Sequence, residues 1–185
     1  MNNHLDVAEQ FVEVSGYFVS SVMEVLLSDD MAPTLNEFGF QCLHLETWYP
    51  QSFVLDVLDF VLDVVEDEQG DFASSKLMAE LGRRMIATSI LPPLRTVEDC
   101  LLAVVKIYSI THRKSRDNEC LYVEQVGDRR FQVTNATPYP DELIFGQLHA
   151  IMQRIVVEEP YTIVEYGDPL TMIDGTEYTV FDISY

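Results

Sequence analysis

The sequence predicts an α+β fold in which N-terminal helices pack on a C-terminal antiparallel sheet, within a single domain over residues 1–185. Three observations lead there. Apolar residues recur every three or four positions through most of the first 110 residues, the period falls to two after residue 120, and one helical stretch separates the later strands. With 185 residues and 48% apolar content, the chain can bury one sizeable core.

From Leu5 to Leu27 the residues Val7, Phe11, Val14, Phe18, Val22, Val25 and Leu26 predict a long amphipathic helix whose weak point is Gly16. Ser28 to Pro33 holds adjacent acids and a proline and reads as a loop, and the alternation from Phe38 to Glu46 reads as a short strand. A helix can start at Tyr49-Pro50, because proline suits a first turn, and it runs to Val65 with Asp56, Asp59 and Asp63 along one solvated face. After the polar break Glu66 to Gly70, Phe72 to Ile90 is helical, with Leu77, Leu81 and Met85 on its apolar side, and Leu91-Pro92-Pro93 ends it. Thr96, followed by Glu98 and Asp99, opens the next helix through Leu101, Val104, Val105 and Tyr108.

Leu121 to Val126 and Phe131 to Thr134 then read as a β-hairpin that turns at Gly127-Asp128, with glycine in the first turn position. Asp141 to Val156 returns to a helix after the turn-like Pro138-Tyr139-Pro140. Tyr161 to Tyr166 and Tyr178 to Tyr185 close the chain as strands, the second introduced by Asp174-Gly175. The domain is therefore helical over 1–118 and hairpin, helix, hairpin over 119–185, with no internal repeat or dividing linker.

Eleven bases against 31 acids give a net charge of −20, unevenly placed. Residues 1–75 carry 15 acids and no Lys or Arg, residues 76–154 carry all 11 bases and 9 acids, and residues 155–185 carry 7 acids and no base. Such a field repels phosphate backbones and anionic bilayers, so neither nucleic acid nor membrane is an expected partner. The cysteines Cys42, Cys100 and Cys120 are odd in number and lack a CxxC, which suits reduced thiols in a cytoplasmic protein. Met1 to Asp6 offers no basic leader, and the apolar stretch Phe53 to Val65 is broken by acids and too short to span a bilayer.

No reaction is legible. The histidines His4, His44, His112 and His149 show no i, i+3 or i+4 pairing, His44 with Glu46 supplies only two ligands on one strand face, and His149 suits the core of the fifth helix. There is no GxSxG elbow, no GxGxxG and no GxxxxGK[ST], and carboxylates are too abundant to single out an acid–base pair. Trp48, Tyr49, Phe145 and His149 are the candidates to line a pocket for a small apolar ligand. The basic cluster of Arg113, Lys114 and Arg116, with Arg129 and Arg130 on the adjoining hairpin, is the candidate partner surface, able to meet the acidic part of a second copy.

Residues 119–185 resemble the ligand-binding superfamily that contains the 4-vinyl reductase domain, the TRAPP subunits and the heme-NO-binding domain. The resemblance lies in a hairpin, the stretch Pro138-Tyr-Pro-Asp-Glu-Leu-Ile-Phe-Gly146-Gln-Leu-His-Ala-Ile, an acidic strand holding Glu165, and a closing Gly175-Thr-Glu-Tyr-Thr179-Val-Phe-Asp-Ile. In zinc-binding members a glutamate and two cysteines hold the metal; the corresponding positions here are Glu165, Asp168 and Thr179, without a thiolate. In heme-binding members a Tyr-x-Ser-x-Arg segment holds the propionates, whereas Val133-Thr-Asn135-Ala-Thr137 stands here. The resemblance implies an apolar cavity or a dimerisation surface and neither cofactor. The expectation is a noncatalytic sensory or regulatory signalling domain for a small apolar ligand or a protein partner, homodimeric, without heme or zinc; an acidic interaction module is the alternative, ahead of a nucleic-acid mimic or an enzyme.

Overall fold

A three-residue strand precedes the first helix: Glu13–Ser15 form β1 and Gly16–Ser28 form α1. Gly16 explains the break. A Cβ there would lie 2.2 Å from the carbonyl oxygen of His44, and the Gly16 N–H donates to the Thr47 carbonyl at 2.7 Å. The backbone is thus held against the turn at 44–47, and the helix begins only beyond it. The computed structural model describes residues 12–28, 43–114, 119–155 and 162–185. Residues 5–11 of the long helix expected from Leu5 lie outside them; within them Glu13–Ser15 is a strand where that helix was expected, since periodicity cannot separate a short buried strand from a helical turn. Most of the strand expected at 38–46 lies outside the described residues; His44 and Glu46 sit exposed around a turn, so no strand face brings them together.

Trp48–Pro50 form β2, and Pro50 then leads directly into α2, Gln51–Gln69. Asp56, Asp59 and Asp63 are exposed on α2 while Val54, Val57, Leu58 and Val61 are buried, which is the amphipathic division expected. Gly70, at φ +84°, turns the chain into α3, Asp71–Thr88. Helix α4, Val97–Thr111, starts in a capping box: the Asp99 N–H donates to Thr96 Oγ1 at 3.0 Å, and Asp99 Oδ2 accepts from the Thr96 N–H at 3.1 Å. His112–Arg113 form β3, which flanks β1 on the side opposite β2 in a small antiparallel sheet that the sequence did not announce.

The larger sheet follows. Leu121–Gly127 (β4) and Arg130–Asn135 (β5) form a hairpin whose turn is Asp128-Arg129, with Gly127 paired to Arg130 and a bulge between Gln125 and Gly127. The bulge shifts the turn by one residue from the expected Gly127-Asp128. Arg129 takes the left-handed conformation at φ +57°, and its guanidinium lies 5.2 Å from the centre of the Tyr185 ring. Asp141–Met152 (α5) leads to Ile163–Tyr166 (β6), Leu170–Thr171 (β7) and Glu177–Ser184 (β8). The order is β4-β5-β8-β6, antiparallel throughout, with β7 on the end of β8. The expected α+β class is what forms, with Leu26, Leu58, Leu81, Leu101, Leu148 and Phe181 wholly buried between helices and sheet. No described helix is long and apolar enough to cross a membrane.

Helices α3 and α5 approach closely because glycines face each other's backbones. A Cβ on Gly82 would stand 2.1 Å from the Leu143 oxygen, and one on Gly146 would stand 2.0 Å from the Ala79 oxygen. Each glycine costs helix propensity and is repaid by backbone-to-backbone packing that no larger residue permits.

Candidate functional site

A buried aromatic and polar cluster gathers five elements around His112. Tyr108 in the last turn of α4 and His112 at the start of β3 are four residues apart, and their rings stack, 4.0 Å between centres and 13° between planes. Phe18 of α1 meets the imidazole edge-on at 5.0 Å, and Tyr139, from the turn before α5, meets it at 5.4 Å. Gln51, the first residue of α2, is buried, and its Nε2 has no hydrogen-bond partner among the described residues.

The hydrogen bonds fix the histidine tautomer. His112 Nδ1 lies 3.0 Å from the Tyr108 carbonyl, which can only accept, so Nδ1 carries the proton. Nε2 then accepts from the Tyr139 hydroxyl at 2.7 Å. Burial pulls the His112 pKa down to about 4, so the ring is neutral at pH 7. Burial likewise raises the Tyr108 and Tyr139 phenols above their ordinary range, reinforced at Tyr108 by Glu119, whose carboxylate accepts from the phenol at 3.4 Å. The cluster is a closed set of neutral rings in which the Gln51 amide faces the Tyr108 and Tyr139 phenols and offsets part of the rise that burial causes in them.

A second network adjoins it at the end of β5. Asn135 Nδ2 donates to Asp141 Oδ1 at 2.7 Å, and Asn135 Oδ1 accepts from the Thr137 backbone N–H at 3.1 Å and from its hydroxyl at 2.7 Å. Thr179 of β8 donates to Asp141 Oδ2 at 2.6 Å. These bonds tie β5, β8 and the start of α5 together.

The sequence-derived candidates fall into separate places. Phe145 and His149 stack on one face of α5, 6.3 Å between centres, and Phe145 stacks on Tyr166 of β6 at 5.2 Å. Trp48 and Tyr49 lie on β2: Arg113 covers the Trp48 ring at 4.4 Å, and Tyr49 stacks on Phe53 at 6.1 Å and accepts from the His44 N–H at 2.8 Å. Of the basic residues, Arg113 and Lys114 both bind the Glu13 carboxylate, holding it below the usual carboxylate range. Arg130 pairs with Asp182 at 3.2 Å, and Arg116 lies outside the described residues. Cys100 is buried, with its thiol pushed up to about 12 by burial, which makes it unreactive. No pattern in the sequence joined His112 to Tyr139; the available signal was the i, i+4 pair of Tyr108 and His112.

No family profile and no curated protein matches this chain. Solved structures do. A structure from work on heme distortion in the H-NOX family superposes with a TM-score of 0.67 at 15% identity, over 92% of this chain and 94% of the other. A point variant of the T. tengcongensis H-NOX gives 0.66 at 16% identity, over 92% and 96%. An oxygen-binding H-NOX domain related to soluble guanylate cyclases, in its oxygen complex, gives 0.60 at 13%, over 92% and 94%. The fold is that of H-NOX domains. The part of the sequence resemblance that concerned the heme-NO-binding domain is thereby supported at the level of fold.

Heme can be tested against Val133 to Thr137, the stretch that the sequence resemblance sets opposite the propionate-binding segment. Asn135 and Thr137 spend their polar groups on each other and on Asp141, and the Asp141 carboxylate would repel a propionate. Tyr139 packs on His112, both of whose ring nitrogens are engaged within the protein. Val133 to Thr137 therefore offers no cationic donor for a heme propionate. Nor do the zinc-equivalent positions offer a soft donor set: Glu165 and Asp168 are exposed and the Thr179 hydroxyl is bonded to Asp141.

Proposed function

We propose that this chain is a noncatalytic sensory or regulatory domain that keeps the H-NOX fold and works without heme or zinc. The observation that supports the reading is that Asn135 and Thr137, in the stretch that the resemblance sets opposite a cationic or phenolic clamp, spend their polar groups on each other and on Asp141. The signal it senses is a small apolar ligand held near Trp48 and Tyr49 or near Phe145 and His149, or a protein partner, including a second copy. A basic protein partner is the second reading, favoured by the exposed Asp56, Asp59 and Asp63 on α2.

Native mass spectrometry of the protein purified from heme-supplemented cells separates these readings. A copurifying apolar molecule without iron or zinc supports the sensory reading, and a salt-sensitive dimer supports association. A mass increment equal to heme or to a zinc ion would overturn the cofactor-free reading.

A further inference from the structure

Residues 168–177 leave the large sheet as a short arm in which every residue is exposed. At its root the Gly167 N–H donates to the Val180 carbonyl at 2.8 Å, and its two rungs pair Leu170 with Tyr178 and Thr171 with Glu177. The tip is the three-residue loop Ile173-Asp174-Gly175. The Met172 N–H donates to the Thr176 carbonyl at 2.8 Å, the Gly175 N–H donates to the Met172 carbonyl at 2.9 Å, and Gly175 takes the left-handed conformation such a loop requires, φ +85°. Asp174 Oδ1 accepts from the Thr176 N–H at 2.9 Å and fastens the turn from a side chain. The arm is thus shaped by its own hydrogen bonds, which removes part of the ordering cost of docking it against another surface.

What the arm displays is apolar. Strand alternation puts Leu170 and Met172 on one face with Tyr178, and Thr171 and Glu177 on the other, while Ile173 stands wholly exposed at the tip. Asp168, Asp174 and Glu177 flank these side chains, and the chain carries no Lys or Arg from residue 155 to its end. We infer that the arm is a docking element whose tip, Ile173 with Leu170 and Met172, enters an apolar notch with a basic rim on a protein partner. Carboxylates beside the apolar anchors set the sign of that rim. A second copy is disfavoured as the occupant, because it would bring together two chains of net charge −20. The inference rests on the protein-partner reading above and places the contact on the arm rather than on the acidic face of α2.

The probe is a short peptide of alternating leucine and lysine, titrated into the full-length chain at fixed ionic strength and followed by backbone amide NMR, with oligolysine of equal charge as the control. Saturable shifts confined to the amides of residues 168–178, with oligolysine at least about tenfold weaker, are expected. Ile173→Ser, at a side chain that touches no core, should weaken the peptide about tenfold, and Glu177→Gln should weaken it several-fold and flatten its salt dependence. Asp59→Asn on α2 should leave it unchanged. Equal binding of oligolysine, or an Ile173→Ser affinity equal to the wild type, would overturn the assignment. Shifts confined to α2 would overturn the arm and leave the partner reading standing, whereas no saturable shift anywhere would count against both. A concentration-dependent dimer that Ile173→Ser abolishes would overturn the basic partner in favour of a second copy.

Discussion

The Tyr139 hydroxyl donates to His112 Nε2 at 2.7 Å across 27 residues of sequence, and the Tyr139 carbonyl accepts from Asn135 of the segment that the resemblance sets opposite a propionate clamp. The imidazole is held neutral there, its pKa near 4 in the folded chain against 6.5 when unfolded. Between those values the unfolded state binds more protons, so stability is complete above about pH 6.5 and is lost as the pH falls toward 4. The contribution is roughly 3 kcal/mol at its full extent. Urea denaturation of the wild type and of His112→Gln across that range should show the steeper loss in the wild type, since the carboxylates titrate alike in both.

Tyr139→Phe removes the donor to Nε2 and leaves a buried acceptor unmet. It should cost about 1–3 kcal/mol while leaving the ring packing intact, read from the midpoint of urea unfolding.

Gly82→Ala and Gly146→Ala each drive a methyl to within 2.1 Å or less of a helix backbone oxygen. Backbone cannot yield as a flexible side chain does, so each variant should lose about 3 kcal/mol or more, or fail to fold. Thermal unfolding by circular dichroism decides it; an unchanged midpoint would mean that α3 and α5 do not cross at these glycines.

Asp141→Ala leaves Asn135 Nδ2 and the Thr179 hydroxyl without their shared acceptor. A loss of about 2 kcal/mol is expected, with amide hydrogen exchange accelerated at both the end of β5 and the middle of β8.

What the sequence disclosed was local. Thr96 with Asp99 three residues on marks a helix start, and the capping box forms there; Pro50 likewise stands directly ahead of α2. Gly16 signalled weakness in a helix, but its contact with the carbonyl of His44 depends on a chain reversal that no short pattern records. The same holds for Arg113 and Lys114, which as sequence form an unpaired basic cluster and in space bind Glu13, 100 residues earlier. Gly82 and Gly146 inside helices were the readable hint of a close crossing. The His112 cluster draws on Phe18, Gln51, Tyr108 and Tyr139, residues whose types are common in any core and whose convergence exists only in the fold.

The central claim, an H-NOX fold that does not use heme, is met most directly by titrating hemin into the purified chain and following the Soret region before and after gel filtration. No saturable one-to-one band is expected to survive the column. A stoichiometric Soret band that coelutes with the protein would contradict it.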